Sequence, residues 1–367
     1  MDSLINQLKI STPGRVCLFG EHQDYLQLPI VACAISLRIS IEGKRRNDKL
    51  ININLPDISM KESFSIDKPI TYTQERDYFK SSLAVLLRKA FTFSTGFDCI
   101  VEGKIPINAG TSSSSALIVT WINFLARMSD QAVTLPADVL AKYAYEAEVL
   151  EFSEPGGMMD QYSTSIGGII YMDFFPTTKV TKLDTKLKSF VLGNSGQPKN
   201  TKFILSHVKD QILEVNSILK NIYPQFSLQT IQLEDIKQFK NHLTDSQFNI
   251  LNGTLKNRDL TFIARRELDM INPDHSILGK LLNEHQAVLC DVLGISTPKI
   301  DGMITAALNS GAYGAKINGS GGGGCMFAYA PDDPERVKIA IENAGGEAFI
   351  INADSGSREE NMVSING

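Results

Sequence analysis

The stretch Pro106-Ile107-Asn108-Ala109-Gly110-Thr111-Ser112-Ser113-Ser114-Ser115-Ala116-Leu117 constrains this chain more than any other. A proline and a glycine precede a run of small hydroxyl residues. A helix-patterned segment follows at once, with Leu117, Trp121 and Leu125 at four-residue spacing. Such a loop sets backbone N–H groups at a helix N-terminus, where unpaired donors and the positive end of the helix dipole attract anions. Serine hydroxyls there add hydrogen bonds or a ligand for Mg²⁺. The pattern implies a cradle for nucleotide phosphates. A flexible linker or an ordinary N-cap is the alternative for the run taken alone. The spacing is not Gly-x-x-x-x-Gly-Lys-Ser/Thr, so neutralising charge must come from elsewhere than a lysine in the loop.

The bulk numbers exclude several classes of partner. The chain has 367 residues, 43% hydrophobic and 21% charged, with a net charge of −5. That is an ordinary globular composition, long enough for two lobes. No basic patch or tail favours nucleic acid or a membrane surface. Cys17, Cys33, Cys99, Cys290 and Cys325 are scattered without C-x-x-C spacing, so neither zinc nor a redox pair is indicated. The opening Met1-Asp2-Ser3-Leu4-Ile5-Asn6 lacks a charged and apolar leader, and no apolar run reaches membrane-spanning length. A reducing cytoplasm is the expected location, and a monomer or homodimer the expected state.

Read for elements, residues 8–55 are strands and turns. Ile30–Ile35 is a buried run and Ser36–Ile41 alternates as a strand with one wet face. Residues 76–92 read as a helix with Leu83, Leu86, Leu87 and Phe91 on one side. Cys99–Val101 is a short strand before the serine loop. Residues 112–128 form the helix after it, and a second helix covers 136–152, starting at Pro136. Pro155-Gly156-Gly157 breaks the chain, and composition shifts near 185–200, where a lobe boundary is placed. Residues 205–290 are mostly helical in pattern. Thr297-Pro298 and Gly311 bracket another helix. Ile317–Ala330 reads as strand, glycine loop, strand; a helix starts at Asp333-Pro334 and Ala348–Ile351 closes as a strand.

Three further segments carry chemistry. In Asn318-Gly319-Ser320-Gly321-Gly322-Gly323-Gly324-Cys325, glycines between two strands imply close approach of a ligand or another backbone, or else a loose turn. In Gly14-Arg15-Val16-Cys17-Leu18-Phe19-Gly20-Glu21-His22-Gln23-Asp24-Tyr25, the residues Glu21, His22 and Asp24 suit a polyhydroxylated ligand, or a solvated turn. In Glu148–Gln161, Asp160 follows two glycines and two methionines, a setting in which a carboxylate can accept or orient a hydroxyl proton. Glu148 or Glu151 can serve Mg²⁺, while a solvated helix face is the preferred reading of Glu151 and Glu154.

Together these segments resemble the GHMP kinases, the family of galactokinase, homoserine kinase and mevalonate kinase. Gly14-Arg15-Val16, Gly20-Glu21-His22 and Asp24-Tyr25 are similar to the galactokinase signature, and Gly157-Met158-Met159-Asp160-Gln161 to the segment that holds its catalytic aspartate. Gly321–Cys325 looks more like mevalonate kinases. The resemblance implies an α+β, two-lobed GHMP kinase fold. Residues 1–190 would form an N-terminal lobe like ribosomal protein S5. Residues 191–367 would form a C-terminal ferredoxin-like α/β lobe with a helical segment, the last residues being free to return to the first lobe. It implies ATP and Mg²⁺ as cofactors, with a small-molecule sugar as substrate.

By the same resemblance Asp160 is the catalytic aspartate and Arg15 its neighbour. Pro106, Gly110, Thr111, Ser112, Ser113, Ser114 and Ser115 wrap the ATP phosphates, with Tyr78 near the nucleotide. Ser114 and Glu148 hold the metal. Glu21, His22 and Asp24 bind sugar hydroxyls, and Gly321, Gly322 and Gly323 close the site. Departures leave the sugar open. Gln23 stands where galactokinases have threonine, and Leu26-Gln27-Leu28-Pro29 replaces Asn-Gly-Gly. Leu28–Ala32 is mevalonate-kinase-like, whereas Arg15 replaces the lysine expected of that enzyme and Asp24 adds a sugar-type acid. A mevalonate-type acid kinase and a catalytically silent sugar sensor are the rival readings.

Overall fold

The computed structural model describes residues 5–198 and 201–361. Two sheets organise them. The larger has the order β12-β1-β2-β5-β3-β4, with β6 and β7 added on β2. Its strands are β1 (Gln7–Phe19), β2 (Ile30–Arg45), β3 (Leu50–Leu55), β4 (Met60–Ser65), β5 (Phe97–Gly103), β6 (Ile169–Asp173), β7 (Lys179–Leu183) and β12 (Arg358–Glu359). The long β2 serves two neighbours: Ile30–Cys33 pairs with β6 and Ile39–Arg45 with β5. Its first half is buried on both faces and its second half alternates, as the change from an apolar run to Ser-Leu-Arg-Ile-Ser-Ile requires.

The smaller sheet is antiparallel, in the order β11 (Glu347–Ile351), β8 (Phe190–Asn194), β10 (Cys325–Tyr329), β9 (Gly314–Ile317). With α8 (Pro298–Asn309) and α9 (Pro334–Asn343) between strands, this is the ferredoxin-like arrangement. Thr297 caps α8 by accepting from the Ile300 N–H, and Gly311 follows the helix at φ +102°. The end of the chain returns to the first sheet, where β12 pairs with β1.

Helices α1 (Tyr78–Arg88), α2 (Ser113–Met128) and α3 (Ala137–Tyr145) cover one region of the large sheet. Their core holds Trp121, stacked on Phe124 at 5.4 Å and donating its indole N–H to Phe79 O at 3.0 Å. Leu83 and Leu86 join that core. Leu87, expected beside them, is 40% exposed, because the last turn of α1 is open to solvent through Ala90. The expected helix 136–152 is not uniform either. α3 gives way to one π-helical turn at Glu146–Leu150, a device frequent at functional sites. A short α4 (Met159–Ile166) follows.

The helical region lies between the sheets. Helices α5 (Thr201–Ile222), α6 (Asp245–Leu268) and α7 (His275–Ala287) supply it. One apolar cluster combines Ile212, Leu219, Leu251 and Leu255 with Leu26 and Leu28 from the turn after β1. The leucines that depart from the galactokinase pattern are therefore anchors that seat this turn on the helices. Four cysteines are buried, Cys290 is half-buried, and all five are free. Among the described residues no helix is long and apolar enough to cross a membrane.

Candidate active site

A cleft of about 1070 Å³, counting its open mouth, opens where β1, the serine loop, α4 and the glycine loop meet. Arg15 and Asp160 lie in it. A bulge in the β1–β2 register between Pro13 and Arg15 turns β1 towards the serine loop, and Arg15 N donates to Thr111 O at 3.2 Å. The Arg15 guanidinium meets Asp160 Oδ1 through Nε at 2.8 Å and Nη2 at 2.7 Å, and Nη1 donates to Gly110 O. Burial works against the arginine charge, but Asp160 and Glu21 more than offset it, so its pKa lies above the ordinary value. Asp160 keeps a side chain 31% exposed, open to the cleft on the face that Arg15 does not cover.

The serine loop turns sharply. Asn108, Gly110 and Ser112 stand at φ +55°, +85° and +58°. Its carbonyls are taken by the body of the protein. Ala109 O accepts from Cys325 N at 2.8 Å, Gly110 O from Asn318 Nδ2 at 2.8 Å, and Thr111 O from Arg15 N. The donors at the start of α2 have no side-chain cap, and Ser112 Oγ is a buried hydroxyl with no partner among the described residues. Ser112, Ser113, Ser114 and Ser115 line the cleft with Gly110. Pro106 and Thr111 do not. Thr111 Oγ1 donates to Pro106 O at 3.2 Å, so this pair braces the loop from behind.

Glu148 sits on the π turn opposite α2. Its Oε1 accepts from Ser114 Oγ and its Oε2 from Gln161 Nε2, each at 2.7 Å. Burial raises its pKa, while hydrogen bonds from Ser115, Ser114 and Gln161 oppose that rise. Tyr78 also lines the cleft and meets Phe152 edge-on at 5.9 Å. Among the described residues no group of three His, Cys, Asp or Glu side chains could hold a metal. A divalent ion here would have Glu148 and Ser114 beside ligand and water oxygens, the arrangement Mg²⁺ tolerates.

At the other end, Asp24 Oδ1 accepts from Tyr25 N at 2.9 Å and Oδ2 from Met159 N at 3.2 Å. Burial, then the charge of Asp160, pushes its carboxyl up to about 6. His22 lines the cleft with both ring nitrogens engaged. Nε2 lies 3.1 Å from Ser320 O and Nδ1 2.8 Å from Tyr25 Oη, which assigns the proton to Nε2 and lets the tyrosine donate. Glu21 lines the cleft, but both of its carboxylate oxygens are already engaged, one by Lys316 Nζ and one by Gly319 N, so it fixes the glycine loop as well.

The glycine loop departs from expectation in part. Gly319 and Ser320 line the cleft; Gly321, Gly322 and Gly323 do not, and pack against Ile295, Ile204 and Gln197. A Cβ on Gly319 would stand 2.7 Å from Gly110 O, so the glycine lets the two loops touch. Glu154, read as a solvated residue, lines the cleft in an ion pair with Arg76. Glu151 faces outwards to Arg88 and Tyr72. Gln161, Lys316, Asn318 and Arg76 were not singled out by the sequence. Gln161 and Asn318 carried a local signal, the one next to Asp160 and the other at the head of the glycine run.

Comparison with known proteins matches this geometry to one family. Residues 77–168 match the GHMP kinases N terminal domain, residues 264–347 GHMP kinases C terminal, and residues 6–45 the galactokinase galactose-binding signature. The chain belongs to the GHMP kinase family. This GHMP kinase is 29% identical to the mevalonate kinase of Pyrococcus furiosus, over 93% of the chain and 94% of that protein. It is 26% identical to the galactokinase of Mannheimia succiniciproducens, over 92% and 89%. Among solved structures it superposes on Lactococcus lactis galactokinase complexed with galactose with a TM-score of 0.83 at 20% identity, covering 96% and 95% of the two chains. The mevalonate kinase of Methanococcus jannaschii gives 0.74 at 20% identity, covering 96% and 99%. At such identities the superpositions establish the GHMP kinase fold.

Proposed function

We propose that this GHMP kinase transfers phosphate from ATP, with Mg²⁺, to a monosaccharide, galactose or a related sugar, at its anomeric hydroxyl. The observation that carries the reading is the Arg15–Asp160 pair, set between the serine loop and Asp24. The residues fit a magnesium nucleotide. Ser112 has a buried hydroxyl with no partner among the described residues, the first N–H groups of α2 have no side-chain cap, and Glu148 is a buried carboxylate against Ser114. Gly110 and Ser112–Ser115 would hold the phosphates, Ser114 and Glu148 the ion, and Tyr78 would border the nucleoside. The bound nucleotide supplies the phosphoryl group and the ion neutralises its charge.

The chain's own residues then do three things. Arg15 orients Asp160 through its Nε and Nη2 contacts and adds positive charge beside the phosphate loop. Asp160 orients the attacking hydroxyl or takes its proton. Asp24 accepts from a second hydroxyl and so fixes the acceptor's register. Positioning and electrostatics supply the acceleration, since phosphoryl transfer asks little covalent chemistry of a protein.

The galactose-binding signature over residues 6–45 and the galactokinase superposition support the sugar reading. A mevalonate-type acid kinase is favoured by the Pyrococcus relative and by one cation near the acceptor end. Lys209 Nζ lies 5.5 Å from the Tyr25 ring centroid and donates to Pro155 O at 3.3 Å. The presence of Asp160, Arg15, Ser114 and Glu148 together argues against a silent sensor. A coupled assay of ADP release with a panel of hexoses, pentoses, uronic acids and mevalonate separates the three. Sugar-dependent release is expected; mevalonate-only release selects the acid kinase, and binding without turnover the sensor.

A further inference from the structure

Arg76 and Glu154 face each other across the Tyr78 end of the cleft. Arg76 Nε and Nη2 donate to Glu154 Oε1 and Oε2, both at 3.0 Å. This two-pronged geometry is the one arginine offers equally to carboxylate and phosphate. Both residues line the cleft, with side chains 41% and 11% exposed. The backbone on each side is unusual. Arg76 stands at φ +99°, and Ser153, immediately before Glu154, at φ +50°. Non-glycine residues persist in the left-handed region where their surroundings hold them, and such outliers gather at sites that switch or clamp. Here the ion pair joins the two strained segments directly.

The loop behind Glu154 runs the length of the cleft. Lys209 of α5 grips Pro155 O from the helical side. Two residues on, Gly157 lies so close to Asp24 that a Cβ there would stand 2.1 Å from Oδ2. Asp160 follows on α4. One short loop therefore touches Arg76 at one end and Asp24 at the other, and leads into the Asp160 helix. Burial raises the Tyr78 pKa, Glu148 adds to the rise and Arg76 opposes it, which puts Arg76 and Glu148 within electrostatic reach of one side chain.

We propose that Arg76 exchanges partners: Glu154 holds its guanidinium until nucleotide binds, and nucleotide phosphate then takes it, which releases Glu154 and re-seats residues 151–157 against the acceptor. The proposal rests on the reading of the cleft as a nucleotide site. Its physical basis is a competition. A polyphosphate carries more negative charge than one carboxylate and presents the same paired oxygens, so Arg76 keeps its hydrogen bonds in the exchange. The same incoming charge repels Glu154. Only differential interaction with the two arrangements can shift the loop, and the paired opposite charges at one clasp supply it.

The test is calorimetric titration of the full-length protein with magnesium adenylyl imidodiphosphate, a non-hydrolysed ATP analogue. Glu154→Gln frees Arg76 and lowers the Kd by about threefold or more, whereas Arg76→Gln raises it by about tenfold, as for loss of one charge-assisted contact. Arg76→Lys, which keeps the charge without the fork, falls between. In an acceptor titration, Glu154→Gln also removes the dependence of acceptor affinity on bound nucleotide. A merely structural salt bridge would move both variants in the same direction. That result, or no change in either, overturns the exchange while leaving the nucleotide site standing. Absence of binding to the native protein overturns the site itself and the exchange with it. Should Arg76→Gln fail to fold, Glu154→Gln decides alone: tighter binding supports the exchange and unchanged or weaker binding overturns it.

Discussion

Lys316 and Glu21 form an ion pair in the interior between the two sheets, with side chains 0% and 1% exposed. The lysine's remaining donors go to Cys17 O and Ile317 O, each at 2.9 Å, and the second glutamate oxygen accepts from Gly319 N. Every charge-bearing atom is satisfied, the condition under which a desolvated pair holds. Asn318 adds a second tie, accepting from Cys17 N through Oδ1 at 2.9 Å and donating to Gly110 O. The end of β1, the serine loop and the glycine loop are thereby fixed relative to one another.

Breaking one partner should cost far more than removing both. Lys316→Met strands the Glu21 carboxylate in the interior and should lower stability by about 3–5 kcal/mol. Adding Glu21→Leu should recover part of that loss. Urea denaturation of the single and double variants measures it; strictly additive costs would show that the two charges do not compensate each other.

Glu148 is placed to serve a divalent ion, so Glu148→Gln should raise the Mg²⁺ concentration for half-maximal activity by about tenfold or more, since Mg²⁺ sites rest on one or two carboxylates. The Ser114 and Gln161 hydrogen bonds persist in altered form, so the melting temperature should change little. A Mg²⁺ titration with unchanged midpoint would remove Glu148 from the metal site.

Asp24 gives a prediction with a defined pH window. Its folded pKa of about 6 lies above the ordinary carboxyl value of 3.8. The folded state therefore binds the proton more tightly than the unfolded chain. The stabilisation this gives is complete below about pH 4 and is lost as pH rises through about 6. Relative to the native protein, Asp24→Asn should gain thermal stability between pH 4 and 7 and stay level above that. Melting temperatures across this range check the sign; a difference that shrinks with pH would contradict it. In activity assays the same variant should raise the acceptor KM far more than the ATP KM.

The sequence made much of this site legible because its parts are local. The serine loop announces itself by composition, Asp160 by its glycine and methionine neighbours, and Arg15 by a contiguous motif. What escaped is tertiary. Lys316 sits in an apolar-looking strand, and its partner Glu21 lies in the segment that read as a ligand-binding turn. Nothing in either segment reveals that the two charges cancel across the lobes. The glycine run read as close approach of a ligand or another backbone, and the resemblance put Gly321, Gly322 and Gly323 at the site; within the run Gly319 and Ser320 line the cleft and Gly324 meets the Ala109 backbone, since the direction of a loop is set by what packs on it. The π turn at Glu146–Leu150 is invisible to a helical periodicity, although it holds Glu148 opposite Ser114. The helical region carried no motif because its task is apolar: it buries Leu26 and Leu28 beneath the Asp24 turn.

The most direct test is product analysis of the native protein and Asp160→Asn incubated with galactose, ATP and Mg²⁺, followed by ³¹P NMR. The account predicts a new resonance coupled to the anomeric proton of the sugar from the native protein. The variant should form it slower by about 10²–10⁴-fold, the span of a positioned acid or base, while still binding nucleotide. No phosphorylated sugar from galactose or any related monosaccharide, or equal product from the variant, would contradict it.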